Sequence, residues 1–117
     1  MAKPVNVSGT SASIAVDVVA NIANCTPIVI DRSDAIGISI PNGTSLGTIT
    51  VYGCLTETGT YQIFRDFYVG VDVSFTATAN RVGCLPAPVQ GWPRYLKLVC
   101  SGTAATITAE GKRQARF

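Results

Sequence analysis

Apolar and polar residues alternate with a period of two along most of the chain. The clearest case is VDVSFTATA, in which one set of alternate positions is apolar: Val71, Val73, Phe75, Ala77 and Ala79. Successive side chains of a β-strand point to opposite faces of a sheet, so this pattern predicts a strand with one buried face and one wet face.

Five further segments show the same alternation, namely SIAVDV, AIGISI, LGTITVYGCL, YLKLVC and TAATITAE. The third of these segments places Ile49, Val51 and Leu55 on one predicted buried face, and YLKLVC places Lys97 on the face opposite Leu96. CTPIVI and YQIF are shorter candidates of the same kind. No segment has the period of an amphipathic helix, so the chain is predicted to be all-β.

Turn-forming residues separate these segments, as in PNGT, TETGT, NRVG and SGT. Asparagine and glycine adopt positive φ with little strain, and proline cannot continue a central strand. Seven or eight strands are expected, at a spacing of about 8–12 residues, and such spacing favours an antiparallel two-sheet sandwich or a barrel.

The length and composition predict a single domain in an assembly. The chain has 117 residues, of which 47% are hydrophobic and only 14% are charged, and a surface this poor in charge favours burial against partners. We expect a flexible N-terminal segment at 1–12, a β-sandwich domain at 13–111 and a basic C-terminal tail at 112–117. No membrane segment or signal peptide is apparent, which predicts synthesis in a cytoplasm where cysteines stay reduced.

Charge is distributed unevenly, with a net acidic first part and a net basic part from residue 81 onward. The basic end, KRQARF, contains Lys112, Arg113, Arg116 and Phe117. This segment is interpreted either as a solvated tail or as an arm that docks on an acidic partner. A sequence pI of about 8.4 does not favour nucleic acid as a partner.

The residues that usually perform catalysis or bind metals are scarce. The chain has no histidine, which removes Ser-His-Asp and Cys-His nucleophile systems. Its four cysteines form no CxxC pair, so they are expected to be buried or half-buried thiols. Asp31 and Asp34 are compatible with a calcium loop or with an ordinary turn. The sequence thus predicts no enzyme, no metal and no cofactor.

Aromatic residues give the strongest binding signal. They cluster in YQIFRDFY and again in GWPRY, where Tyr61, Arg65, Trp92 and Tyr95 are candidate partner-binding residues. Aromatic faces flanked by arginine hold sugar rings or anchor protein interfaces. The alternative is that these rings complete the core and its rim.

The order of four segments, SLGTITVYGCLTETGTYQIF, VDVSFTATAN, LPAPVQGWP and RYLKLVCSGTAATITAEG, resembles the discoidin-like, galactose-binding-like jelly roll. The resemblance spans roughly residues 30–110. Small tailed-phage virion proteins, including capsid decoration (cement) proteins, are similar to the same pattern, with AIGISIP, ITVYGC and YLKL in the corresponding places.

This resemblance implies a jelly-roll-type β-sandwich that binds and stabilises the outer surface of a phage head. The implied partner is the major capsid protein, the implied assembly is a homo-trimer, and the implied location is the virion surface after synthesis in the host cytoplasm. A carbohydrate-binding module of a virion fibre or adhesion complex, with a glycan as ligand, is the alternative. No ligand residue can be carried over from either family.

Overall fold

The computed structural model describes residues 5–6, 14–29, 35–86 and 93–112. These residues form twelve strands: β1 (Val5–Asn6), β2 (Ile14–Val18), β3 (Ile28–Val29), β4 (Ala35–Ile40), β5 (Gly47–Cys54), β6 (Gln62–Ile63), β7 (Arg65–Asp66), β8 (Val71–Asp72), β9 (Ser74–Ala77), β10 (Arg81–Cys84), β11 (Tyr95–Cys100) and β12 (Ala105–Lys112). The helical structure in this part of the chain is a 3₁₀ turn at Ile22–Asn24. No described helix is long and apolar enough to cross a membrane.

The strands form two main sheets and a small ribbon. One sheet has the order β1-β3-β11-β5-β6, with β9 also paired to β5, and the other has the order β10-β4-β12-β2. The pairing is antiparallel except between β1 and β3. Strands β7 and β8 form the separate ribbon. The prediction of an all-β domain with antiparallel sheets in a sandwich is confirmed.

The core lies between the two main sheets, where the apolar faces of both sheets meet. Ile36, Ile38 and Ile40 of β4 and Ile107 of β12 are buried together with Leu98 of β11. The intervening polar positions of β12 face water, as the period of two requires. For these strands the predicted buried faces are confirmed.

Two predicted side-chain placements, those of Leu55 and Val71, are wrong. Leu55 is 67% exposed because β5 ends one residue earlier, at Cys54. Val71 is exposed because it belongs to β8, which pairs with β7 rather than with a core strand. Lys97 lies on the predicted face, opposite Leu96, but it is only 8% exposed because Ile22 of the 3₁₀ turn and the Tyr61 ring cover it.

The turn between β11 and β12 packs closely against the segment before β5. The Gly102 N–H donates to the Leu46 carbonyl at 2.8 Å. A Cβ atom at residue 102 would lie 2.3 Å from the Ser45 carbonyl oxygen and 2.8 Å from that of Leu46. Only glycine allows these two backbone segments to approach so closely.

The predicted domain boundaries stay predictions. Within the predicted flexible segment at 1–12, Val5 and Asn6 pair in parallel with Ile28 and Val29. At the other end, β12 continues to Lys112, the first residue of the predicted basic tail. The rest of both segments lies outside the described residues.

Candidate interaction surface

The β7–β8 ribbon leaves the first sheet at its edge. Backbone hydrogen bonds join Phe64 to Val51 and Val73 to Phe64, both at 2.8 Å, and Val51 to Val73 at 3.0 Å. Strands β6 and β9 continue along β5 on either side of this junction. The ribbon is therefore fixed at its base, while its tip pairs with neither main sheet.

The four-residue turn at the tip of the ribbon is closed by local hydrogen bonds. The Asp66 carboxylate accepts the N–H groups of Tyr68 at 3.0 Å and Val69 at 3.2 Å. The Gly70 N–H donates to the Asp66 carbonyl at 2.7 Å, and Gly70 has a φ of 87°, which glycine adopts without strain. The sequence DFYVG thus specifies its own turn, and the tip is preorganised.

Two of the three charged side chains of the ribbon, Arg65 and Asp72, form an ion pair. Arg65 Nη1 lies 2.9 Å from Asp72 Oδ1, and Arg65 Nη2 donates to the Gly70 carbonyl at 2.6 Å. Arg65 and Asp72 are also directly opposite each other in the ladder. The pair is exposed, so it adds little to global stability. Arg65 and Asp72 therefore offset each other's charge, and the Asp66 carboxylate, which accepts two backbone N–H groups, is the remaining charge of the ribbon.

The tip presents large apolar side chains to solvent. Phe67 is 87% exposed and Tyr68 is 99% exposed, and Val69 and Val71 beside them are also exposed. Contiguous exposed apolar side chains of this kind mark interaction sites in soluble proteins, and aromatic residues dominate the binding energy of protein interfaces. The ribbon is therefore the best candidate interaction surface among the described residues.

A groove of about 510 Å³ adjoins the ribbon. Its lining residues are Gly53, Cys54, Leu55, Thr56, Gly59, Thr60, Gln62, Ile63, Phe64, Arg65, Phe67 and Pro93. Pro93 packs directly on Gly53 in this lining, because a Cβ atom at residue 53 would lie 2.6 Å from Pro93 Cγ. Together the tip and the groove form one continuous apolar surface, which we call the ribbon surface.

Lys97 of β11 contacts Tyr61, at the end of the loop at 57–61, and so connects this loop to the sheet. Lys97 Nζ donates to the Ile22 carbonyl at 3.0 Å and lies 4.7 Å from the centre of the Tyr61 ring. The Tyr61 hydroxyl donates to the Glu57 carbonyl at 3.3 Å. The Lys97 amine therefore occupies one face of the Tyr61 ring in a cation–π contact, and partial burial strengthens this contact.

The pKa of Tyr61 is raised to about 12. Burial is the largest cause, and smaller electrostatic contributions come from the nearby side chains of Cys54, Glu57 and Tyr95. The ordinary value is 10.0, so the unfolded chain loses this proton first as the pH rises. The contribution of Tyr61 to stability is therefore complete below pH 10 and decreases between pH 10 and 12. In a titration followed by phenolate absorbance, we expect a component near pH 12, and we expect Tyr61→Phe to remove it. A Tyr61→Phe protein that retains this component would contradict the assignment.

The residues that the sequence grouped as one binding surface make different contacts in the structure, although Tyr61 and Tyr95 lie near each other. Arg65 lies on the ribbon, whereas Tyr61 packs against Lys97. Tyr95 lies beside Arg94, whose guanidinium carbon is 5.5 Å from the ring centre. Trp92 and the tail residues Arg113, Arg116 and Phe117 lie outside the described residues, as do Asp31 and Asp34, and for Lys112 only the backbone is described.

The four cysteines are free thiols. Cys25 and Cys100 are buried, and burial raises the pKa of the Cys25 thiol, which makes it a poorer nucleophile. Cys54 is half-buried at the end of β5, with its Sγ 3.9 Å from Thr56 Oγ1. Cys84 is exposed on β10, contrary to the expectation of buried or half-buried thiols. No cluster of metal-ligating side chains occurs among the described residues.

Sequence reasoning noticed the aromatic run YQIFRDFY but did not select Phe67, Tyr68 and Val69 as site residues. The signal was present in RDFYVGVD. An Asp four residues before a Gly predicts a tight turn, and an Arg and an Asp flanking that turn predict a cross-strand pair. Apolar residues inside such a turn have no core to enter, so they are exposed.

Comparison with known proteins found no matching family model, no matching curated protein and no matching solved structure. The functional proposal below therefore depends on the chemistry of the ribbon surface.

Proposed function

We propose that this protein is a non-catalytic structural protein that docks on the outer surface of a virus shell, in the manner of capsid decoration proteins. The observation that carries the proposal is the preorganised ribbon tip, on which Phe67 and Tyr68 are almost fully exposed. The resemblance in sequence pattern to decoration proteins supplies the kind of partner.

The physical properties of the ribbon surface suit docking on a protein. Its hydrogen-bonded turn costs little conformational entropy on binding, because the Asp66 contacts already hold it. Because Arg65 and Asp72 are paired, neither would be buried as a lone charge on docking. An aromatic tip beside an apolar groove supplies the central anchors that stable interfaces need.

Removing the aromatic tip should weaken shell binding. We expect Tyr68→Ala to reduce affinity about 30-fold, the loss of a hot spot worth about 2 kcal/mol. The measurement is co-sedimentation of the purified protein with empty shells of the virus that encodes it, purified without the protein. Shells with the wild-type protein bound should also resist heat better than bare shells.

Two variants control this experiment. Tyr68→Phe keeps the ring and should retain binding, whereas Thr103→Ala changes an exposed residue away from the ribbon surface and should bind as the wild type. All variants should have the wild-type melting temperature. The proposal fails if the wild-type protein neither binds the shells nor raises their heat resistance, or if Tyr68→Ala binds like Thr103→Ala.

A carbohydrate-binding module is the second candidate, and the groove favours it because Phe64 and Phe67 line a space of about 510 Å³. Aromatic faces commonly stack on sugar rings. A glycan array with the wild-type protein and with Phe67→Ala tests this candidate. A signal that depends on Phe67, in a protein that does not bind shells, would replace the decoration proposal.

A further inference from the structure

Strand β10 is an open edge of the second sheet. Among the described residues only β4 pairs with its backbone, and the register is continuous from Arg81 opposite Ile40 to Cys84 opposite Gly37. All four residues of β10 are exposed, and Val82 is 81% exposed. Unpaired backbone groups on such an edge are a template for another strand.

The opposite edge of the same sheet is covered. On β2, the Asp17 N–H donates to Thr26 Oγ1 at 2.9 Å, and the Asp17 carbonyl accepts the Thr26 N–H at 3.1 Å. The carbonyl of Val19, just beyond β2, accepts the N–H of Cys100 at 3.1 Å. The described residues therefore protect the β2 edge of this sheet, and none of them pairs with the outer edge of β10.

The sequence of β10 also lacks the usual obstacles to strand addition. Its four residues, RVGC, include no proline and no lysine, and the pairing with β4 has no bulge. The single charge is Arg81, at the first position, whose Nη1 donates to the Asn80 carbonyl at 3.0 Å. The remaining three residues are uncharged.

We propose that β10 pairs antiparallel with β10 of a second copy of this chain, which joins two four-stranded sheets across a two-fold axis. Antiparallel strands related by such an axis pair residues that share a face, so the axis passes midway between the two copies of one residue. Centring it on Val82 places the two Val82 side chains opposite each other. It also places Arg81 of each copy opposite Gly83 of the other, so like charges do not face each other.

The surroundings of Gly83 favour this register. A Cβ atom at Gly83 would have no atom within 4 Å. A second groove, of about 280 Å³, lies here and includes Phe75, Thr76 and Thr78 in its lining. Arg81 of the second copy would lie over this open space, within reach of threonine hydroxyls that can accept its hydrogen bonds.

This self-pairing is independent of the ribbon surface. A four-residue strand buries less than the roughly 800 Å² per partner of a standard interface, so the dimer should be weak and dependent on concentration. Binding of many copies to one shell would raise their local concentration and favour the pairing.

Disulfide trapping tests the register. Val82→Cys is made in a Cys54→Ser/Cys84→Ser background, which leaves two buried native thiols. Directly opposite residues have Cα atoms about 4.5–5.5 Å apart, within disulfide range, so mild oxidation should give a covalent dimer. Gly83→Cys in the same background is the matched control, because the two Gly83 residues would be diagonal, beyond about 7 Å, and should cross-link only with Arg81→Cys.

Sedimentation without any shell tests the association itself. The wild-type protein in reducing buffer should show a dimer fraction that increases with concentration, and Val82→Lys should weaken this dimer about tenfold or more by placing two like charges together. Ser74→Lys, at an exposed position of β9, should dimerise as the wild type.

Three results would overturn the proposal: a wild-type protein that stays monomeric at its highest soluble concentration, a Val82→Lys protein that dimerises normally, or equal trapping at residues 82 and 83. If the wild type is monomeric but Val82→Lys abolishes shell binding, β10 accepts a strand of the shell instead and self-pairing is excluded. Failure of shell binding with intact dimerisation would overturn only the docking proposal.

Discussion

Gly102→Ala should lower the free energy of unfolding by about 3 kcal/mol, at the upper end of the range for overpacked sites. The added Cβ would lie 2.3 Å from the Ser45 carbonyl oxygen and 2.9 Å from the Leu46 carbonyl carbon. These are backbone atoms, so no side-chain rotation can relieve the contact. The turn after β11 must then move away from Leu46, with loss of the Gly102–Leu46 hydrogen bond.

Gly83→Ala is the matched control, because its Cβ would meet no atom within 4 Å. It should leave stability unchanged or raise it by up to about 1 kcal/mol through the entropy of the unfolded chain. Urea denaturation of both variants at low protein concentration gives the comparison. Equal stabilities for the two variants would show that the close approach at Gly102 does not exist.

Leu98→Ala should destabilise the protein by about 2–5 kcal/mol. Leu98 is fully buried, lies opposite Val51 in the ladder between β11 and β5, and belongs to the core between the two sheets. Truncation removes apolar contacts and leaves a cavity that neighbouring strands, fixed by their hydrogen bonds, cannot close fully.

Leu55→Ala makes the same chemical change at an exposed position and should alter stability by about 0.5 kcal/mol or less. The measurement is again the midpoint and slope of urea unfolding. A large loss for Leu55→Ala would restore the sequence-based prediction that Leu55 belongs to the core. A small loss for Leu98→Ala would contradict the packing of the two sheets.

Strands that are buried on one face were predictable, because their sequences carry the pattern of the sheet. AIGISI alternates throughout and TAATITAE does so from Ala105 onward, and their isoleucines, Ile36, Ile38, Ile40 and Ile107, are all in the core. The turn PNGT was predictable for a similar reason, since Gly43 has a φ of 81° and asparagine–glycine favours such a turn.

The ribbon was not predictable from alternation alone. VDVSFTATA alternates without interruption, yet its first two residues form β8 while Ser74–Ala77 pair with β5. The strand divides at Val73 because that residue bonds to both Phe64 and Val51 at the base of the ribbon. A periodic pattern cannot reveal which strand each segment pairs with.

Lys97 shows the same limit for a single side chain. Alternation placed it on the face opposite Leu96 and Leu98, which is correct, and the usual consequence is exposure to water. Contacts with Ile22 and Tyr61, which are distant in sequence, bury it instead. Aliphatic length allows lysine to occupy such a position while its amine finds a carbonyl and an aromatic ring.

The sequence by itself determined the fold class, the buried faces of the main strands and several turns, because each depends on neighbouring residues and a local period. Tertiary structure decided the pairing order of the strands, the exposure of Leu55 and Val71, the burial of Lys97 and the position of β10 at an edge of its sheet among the described residues. Each of these depends on which distant segments pair with or cover a given surface. The free energy of that pairing and burial comes from contacts between residues far apart in the sequence, so a local pattern does not contain it.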